Sequence, residues 1–445
     1  MRPSKQPRAS SVQPNPRLPK RVLVLGASGL IGSAVSARLA ADGVHVTGMS
    51  RSPGGGVVHR WIAADIATLD TPERWLPYLK DQDAVVNCAG VLQDSSRDST
   101  AGVHRDGISA LFQACEQAGV RKVVHLSAIG VDRETPSAFS ETKLSGDRDL
   151  QERDLDWVIL RPSVVVGHAA YGGSALFRGL AALPIAFEFP QTAPLQIVQL
   201  NDLLETIVFF LRSESPSRMT LEIAGPERLN LSAVVATFRK WLGKDPAPTV
   251  RLPSFLARVG YWLGDFAGFL GWRPPIRSTA RLEMARGAIG DPTPWQNLTG
   301  VAPTSLGEAL AKEPASVQEK WFANLYFLKP VVFAVFALFW IATGIISLGP
   351  GWDIGMEMLR RGGIPNLAPY AIAAGALADI FIGIGIAYRP TTRIALWAAL
   401  TISVAYLVIG TVLVPELWRD PLGPMLKIWP IMAFNLVALA ILDDR

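Results

Sequence analysis

Residues 21–32 read Arg-Val-Leu-Val-Leu-Gly-Ala-Ser-Gly-Leu-Ile-Gly. Apolar, largely β-branched residues from Val22 to Leu25 stop at Gly26, and helix formers run from Leu30 to Leu39. This is the strand–turn–helix setting that a phosphate-binding loop requires. Gly26 permits a sharp exit from the strand, Gly29 lets backbone amides approach a pyrophosphate, and Gly32 lets the helix pack closely on the sheet. Ser28, Leu30 and Ile31 complete the turn, where the helix N-terminus offers N–H donors and a favourable dipole to an anion. The spacing G-x-x-G-x-x-G differs by one residue from the commoner dinucleotide fingerprint. A lone glycine triplet is often only a turn; ahead of a long β/α pattern, it makes a dinucleotide site the favoured reading.

That pattern continues. Val44–Met49 reads as a second strand ending at Ser50-Arg51, Trp61–Ile66 as a third, Asp83–Cys88 as a fourth, and Lys122–Ser127 as a fifth. Helical segments such as Ile108–Ala118 separate them, which predicts a doubly wound parallel sheet with helices on both faces. An acidic residue after the second strand would bind the adenosine ribose, whereas an arginine accommodates a 2′-phosphate. No Asp or Glu occurs between Gly43 and Ala64, so Arg51 favours NADP(H) over NAD(H), the alternative being an ordinary solvated charge.

Charge and hydropathy divide the chain. Residues 330–445 hold seven basic and seven acidic side chains, so the formal net charge of +5 belongs to the first 329 residues. Six basic and no acidic residues lie in residues 1–21. The high pI therefore reflects a tail rather than a binding face, which argues against a nucleic-acid partner. That tail, residues 1–19, carries five prolines and is expected to be a disordered extension. Cys88 and Cys115 lack ligand-like spacing and fit a reducing compartment; the five histidines are scattered, so no metal site is expected.

Residues 330–348, 367–387, 394–414 and 425–442 are apolar stretches near the ~20 residues that cross a bilayer core. They predict an all-α bundle of four transmembrane helices over 330–445, joined through a linker at 313–329. Trp352, Trp397, Trp418 and Trp429 lie near the proposed ends, as interfacial aromatics do. Lys320, Lys329, Arg389, Arg393 and Arg445 would share one side, with Arg360, Arg361, Arg419 and Lys427 opposite; the basic residues do not settle orientation. Four spans put both ends on one side, and a nucleotide domain must meet its cofactor, so the expected arrangement is a multi-pass membrane protein with both ends in the cytoplasm. Asp379 is the one acidic residue well inside an apolar span and is expected to face the bundle interior. Residues 254–272 are aromatic-rich and helical, read as a buried subdomain helix in preference to one on the bilayer surface.

Between residues 20 and 312 the chain resembles the short-chain dehydrogenase/reductase superfamily in its extended or atypical branch. The resemblance rests on Gly26-x-x-Gly29-x-x-Gly32, Arg51, Asp65-Ile66, Asn87-x-Ala89-Gly90, Ser127, Lys143 opening a helix, and Arg161-Pro162-Ser163. It continues in Gln196–Leu203 and in Ala224-Gly225-Pro226 before a substrate subdomain at 226–312. It implies that Asp65 and Ile66 lie against adenine, that Cys88, Ala89 and Gly90 line the cofactor with Pro162, and that Lys143 holds the nicotinamide ribose beside Ser127. It narrows to the group containing the 39-kDa accessory subunit of respiratory complex I, and the C-terminal segment resembles a DoxX-type membrane domain.

One position departs from the family. Its catalytic pair is Tyr-x-x-x-Lys, and here the segment is Phe139-Ser140-Glu141-Thr142-Lys143. Phenylalanine cannot donate a proton, and general acid catalysis is worth about 10²–10⁴-fold. Tyr171 is a conceivable substitute. Two function classes follow: a membrane-tethered NADP(H) oxidoreductase acting on a quinone or isoprenoid-like lipid, or a nucleotide-binding module without turnover in a membrane complex.

Overall fold

The computed structural model describes residues 17–443 except 53, 55, 96 and 97. Most of the expected disordered tail, and Arg445, lie outside the described residues. The chain enters β1 (Arg21–Leu25), α1 (Leu30–Ala41), β2 (His45–Ser50) and β3 (Arg60–Ala63), then α2 (Pro72–Leu79), β4 (Ala84–Asn87), α3 (Gly107–Ala118) and β5 (Lys122–Leu126). It continues through α4 (Ala138–Gln151), β6 (Asp156–Pro162), β7 (Val164–Val166), α5 (Gly172–Ala182), β8 (Ala186–Glu188), β9 (Ile197–Gln199), α6 (Leu200–Leu211) and β10 (Met219–Ile223).

Seven of these strands form one parallel sheet in the order β10-β6-β5-β4-β1-β2-β3. The order reverses at β1 and β4, the crevice where doubly wound sheets bind ligands. Alternate residues face opposite layers: Leu23, Leu25, Val85 and Val123 join one core, and Val22, Val24, Val86 and Val124 the other. Burial on both faces explains the unbroken apolar runs. The third strand stops at Ala63, short of the expected Ile66, because the Asp65 carboxylate accepts from the Ala67 N–H at 3.1 Å and turns the chain into a short 3₁₀ helix.

The remaining soluble elements are α7 (Leu231–Trp241), β11 (Thr249–Arg251), α8 (Ser254–Phe269), α9 (Ser278–Arg286), α10 (Thr293–Thr299), α11 (Leu306–Lys312) and α12 (Val317–Leu325). A separate apolar cluster, including Phe177, Leu180, Phe238, Leu310 and Ala323, holds α5, α7, α11 and α12 together.

The C-terminal helices are α13 (Leu328–Leu348), α14 (Trp352–Arg361), α15 (Ala368–Ala387), α16 (Thr392–Leu413) and α17 (Pro424–Ala440). Among the described residues α13, α15 and α16 are long and apolar enough to cross a membrane. The fourth expected span is α17, 17 residues with Pro430 inside it, shorter than the other three but running back to the end of the bundle where Lys329 and Arg389 donate to the Leu442 carbonyl. The segment between α13 and α15 contains α14. Glycines let α13 and α15 meet closely: a Cβ on Gly344 would lie 2.4 Å from the Ala376 carbonyl oxygen, and one on Gly383 2.6 Å from that of Ala337.

The two parts touch. The Leu270 carbonyl after α8 accepts from the Arg389 N–H at 3.0 Å, and Trp272 Nε1 donates to the Ala387 carbonyl at 2.8 Å. The Trp272 ring packs on Phe333, 4.8 Å between centroids, and under the Arg389 guanidinium. Lys329 and Arg389 also donate to the Leu442 carbonyl, and Arg393 pairs with Asp443 at 2.6 Å. Three of the basic residues expected on one side thus gather at one end of the bundle, beside the nucleotide domain.

Candidate functional site

The glycine loop closes the carboxyl end of β1. Gly26 has φ +69°, and a Cβ on Gly32 would sit 2.2 Å from the Gly26 carbonyl oxygen, so the first turn of α1 is pressed against the loop. The Gly29 N–H donates to the Gly26 carbonyl at 2.9 Å. Ser28, Leu30 and Ile31 are half-buried around it. Opposite stand Cys88, Ala89 and Gly90, held by Asn87: its Oδ1 accepts from the Ala89 N–H at 3.0 Å. Burial pushes the Cys88 thiol up to about 12. A loop in which Gly26 and Gly32 leave no room for a Cβ, with a helix N-terminus behind it, fits a pyrophosphate.

Lys143 lies in the second turn of α4, five residues after the helix begins at Ala138, rather than opening it. Its ammonium is 4% exposed and donates to the carbonyls of Leu126 at 2.8 Å and Ala89 at 3.3 Å. Burial lowers its pKa to about 8, against the pull of the Asp147 charge. Phe139 stands edge-on to the His104 ring, 5.6 Å between centroids. His104 Nε2 accepts from the Val91 N–H at 2.9 Å, which leaves Nδ1–H to meet Thr142 Oγ1 at 3.0 Å. Burial, with the Lys143 charge, holds His104 neutral, far below the usual imidazole range.

Ser127 points elsewhere than toward Lys143. Its Oγ donates to Asp147 Oδ2 at 2.9 Å, inside a buried nest. Arg161 Nε donates to the same oxygen at 3.0 Å and extends to Asp132. His125 Nε2 lies 3.4 Å from Asp147 Oδ1, and its Nδ1 takes the Asn87 amide N–H at 3.0 Å. Burial alone would raise the Asp147 carboxyl, but His125, Arg161 and Ser127 hold it below the usual carboxylate range. Sequence reading missed this nest, because its members lie on β4, β5, α4 and β6 and only the sheet order brings them together. Pro162 ends β6, its carbonyl accepting from the Ile129 N–H at 3.1 Å.

Arg51 follows β2, as its sequence position requires, but it carries a partner: its guanidinium pairs with Asp98 at 2.7 Å. Asp98 also meets Arg273 at 3.2 Å. Asp65 caps the turn after β3, and Ile66 is buried beneath α3. Tyr171 lines a cleft of about 620 Å³ that reaches the glycine loop at Ser28, Gly29 and Leu30 and is bounded further by His168, Asn201 and Lys312.

Comparison with known proteins bears on the two domains and the fold. Residues 26–177 match an NAD(P)H-binding family model, and residues 337–436 match the DoxX-like family. The chain joins a Rossmann-like NAD(P)-binding domain, similar to short-chain dehydrogenases, to a DoxX-like membrane domain. It is 26% identical over 64% of its length to mouse NADH dehydrogenase [ubiquinone] 1 alpha subcomplex subunit 9, covering 76% of that protein. It is 21% identical to the photosystem II assembly factor Ycf39 of Synechocystis, covering 57% of this chain and 76% of the other. The fold matches the Bordetella bronchiseptica enzyme WbmG in complex with NAD, TM-score 0.53 and 15% identity, over 70% of this chain and 98% of the other.

Proposed function

We propose that the chain is a membrane-anchored, NADP(H)-binding oxidoreductase that acts on a lipophilic substrate such as a quinone or an isoprenoid-like lipid, with the nucleotide domain on the cytoplasmic side of a bacterial inner membrane. The observation that carries this reading is the seating of the nucleotide domain on the span ends through Leu270, Trp272 and Arg389. A nucleotide domain joined to the spans in this way supports a ligand drawn from the bilayer.

In this reading the Gly26–Gly32 loop holds the pyrophosphate, Arg51 exchanges Asp98 for the 2′-phosphate, Asp65 and Ile66 flank the adenine, and Cys88–Gly90 with Pro162 line the nicotinamide half. Lys143 leaves its two carbonyls to hold the ribose. The reduced nicotinamide, when bound, supplies a hydride. Phe139 removes the proton donor that an isolated ketone needs, and His104 is buried and neutral, with both ring nitrogens engaged. A quinone suits this arrangement, because its protons can come from water at the bilayer surface.

A second reading, NADPH binding without turnover in a membrane complex, is favoured by Phe139 together with the engagement of Ser127 by Asp147. The similarity to a subunit of a ubiquinone dehydrogenase and to a photosystem assembly factor is compatible with it. The test uses the full chain in lipid nanodiscs, with NADPH binding followed by fluorescence and NADPH oxidation followed with a short-chain quinone. Quinone-dependent oxidation is the expected result; saturable binding with no oxidation would replace the first reading by the second.

A further inference from the structure

A long exposed apolar surface outside the spans lies on α8. Phe255, Leu256, Val259, Trp262, Leu263, Phe266 and Phe269 are between 46% and 75% exposed. Their spacing of three and four residues puts them on one helix face. The opposite face, Ala257, Tyr261, Gly264 and Gly268, is buried against the subdomain. The expectation of a buried helix is corrected: only one side is covered. A soluble surface seldom carries a contiguous apolar stripe of four turns, and such patches mark protein or membrane contacts.

Two further observations say what covers it. The residues that end α8 are the ones docked on the α15–α16 connection and on Phe333, so the stripe begins where the spans begin. A second helix repeats the pattern. In α12, Val317, Trp321, Phe322 and Leu325 are exposed, and the row runs on into Leu328, Val331, Val335 and Leu338 of α13. The outward face of a spanning helix meets acyl chains, so the stripe of α12 is continuous with a lipid-facing surface. Arg258 and Lys320 stand exposed beside the two stripes, as basic residues of interfacial helices do.

We infer that α8 and α12 lie in the plane of the membrane surface, their apolar faces sunk in the headgroup–acyl boundary of the leaflet beside the nucleotide domain. The partner is the lipid bilayer itself. Two in-plane helices and the spans then fix the subdomain on the membrane, whatever reaction the site performs.

The test is nitroxide accessibility in the full chain in phosphatidylcholine–phosphatidylglycerol nanodiscs, with the unsubstituted protein as labelling control. Single substitutions Trp262→Cys, Phe266→Cys and Trp321→Cys report on the stripes, Glu214→Cys on water and Leu338→Cys on the hydrocarbon core. The expected result is high oxygen and low nickel-chelate accessibility at 262, 266 and 321, several-fold apart from Glu214 and shallower than Leu338. Water-like accessibility at all three stripe sites overturns the proposal. So does dipolar broadening between labels at 262, which would show a second copy covering the face.

Discussion

Asp147 and Asp379 are both carboxylates taken out of water, at 0% and 2% exposure, but the two halves of the molecule treat them differently. Asp147 is met by Arg161, Ser127 and His125. Asp379, on α15, receives one hydrogen bond, from the Tyr406 hydroxyl of α16 at 2.9 Å. A buried carboxylate surrounded by a cation and donors is part of the architecture, because removing it strands the groups that face it. A sparsely partnered one at membrane depth gains little from its surroundings, and such residues usually carry function. The same contrast holds for glycine. Gly32 is pressed on a loop whose outer side must stay open for a nucleotide, whereas Gly344 and Gly383 only bring two helices together.

The largest expected effect tests the first half of that contrast. Asp147→Ala leaves Arg161 buried with only the half-exposed Asp132, deprives Ser127 of its acceptor, and removes the carboxylate beside His125. Breaking a buried pair in this way costs about 3–5 kcal/mol. Asp379→Ala loses one hydrogen bond between helices, worth about 0.6–1.7 kcal/mol in a membrane. Chemical unfolding of the two variants in detergent measures the gap; equal losses would break the comparison.

Glycine gives the next effect. Gly32→Ala puts a methyl group 2.2 Å from a backbone oxygen, and overpacking of that kind costs about 1–3 kcal/mol. If half of that cost falls on the nucleotide-bound state, NADPH affinity drops about two- to tenfold. Gly383→Ala should leave the affinity where it was and lower the thermal stability of the bundle. Fluorescence titration of both variants checks this, and a binding defect in Gly383→Ala would couple the two regions.

Arg51 and Asp98 should move NADPH affinity in opposite directions. A charge-assisted hydrogen bond to a phosphate is worth about 1.5–3 kcal/mol, so Arg51→Ala should weaken NADPH about tenfold and spare NADH. Asp98→Asn frees the guanidinium from a competing carboxylate and should tighten NADPH. Isothermal titration with both cofactors decides; equal shifts for NADH and NADPH would remove Arg51 from the 2′-phosphate.

What could be read in the sequence was local. The glycine loop, the apolar strands around it and the loss of the phenol at Phe139 each depend on neighbours a few residues away, and the apolar length of α13, α15 and α16 depends on composition alone. What could not be read depends on distant segments meeting. Nothing near Arg51 in sequence announces Asp98, and Ser127 gives no hint of turning to Asp147, because both contacts are made by the sheet order. The aromatic stretch of α8 has the same residues whether covered or bare. The bounds of α17, by contrast, were legible, since the helix covers Pro424–Ala440 against an apolar stretch of 425–442, and Pro430 stays inside it.

The smallest effect on stability is the most informative about function. Asp379→Asn keeps the side chain's shape and still accepts from Tyr406, so its stability should match the wild type within about 1 kcal/mol. It removes a titratable proton from the bundle interior. If Asp379 serves a proton path to a lipophilic ligand, this variant folds, binds NADPH normally and loses quinone-dependent oxidation, whereas Tyr406→Phe retains part of it. Asp147→Asn should show the reverse balance, because its neutral amide no longer answers the Arg161 charge: stability falls, and whatever protein stays folded keeps its turnover. Full oxidation by Asp379→Asn across pH would make both carboxylates structural, and the difference between the two regions would then be one of packing alone.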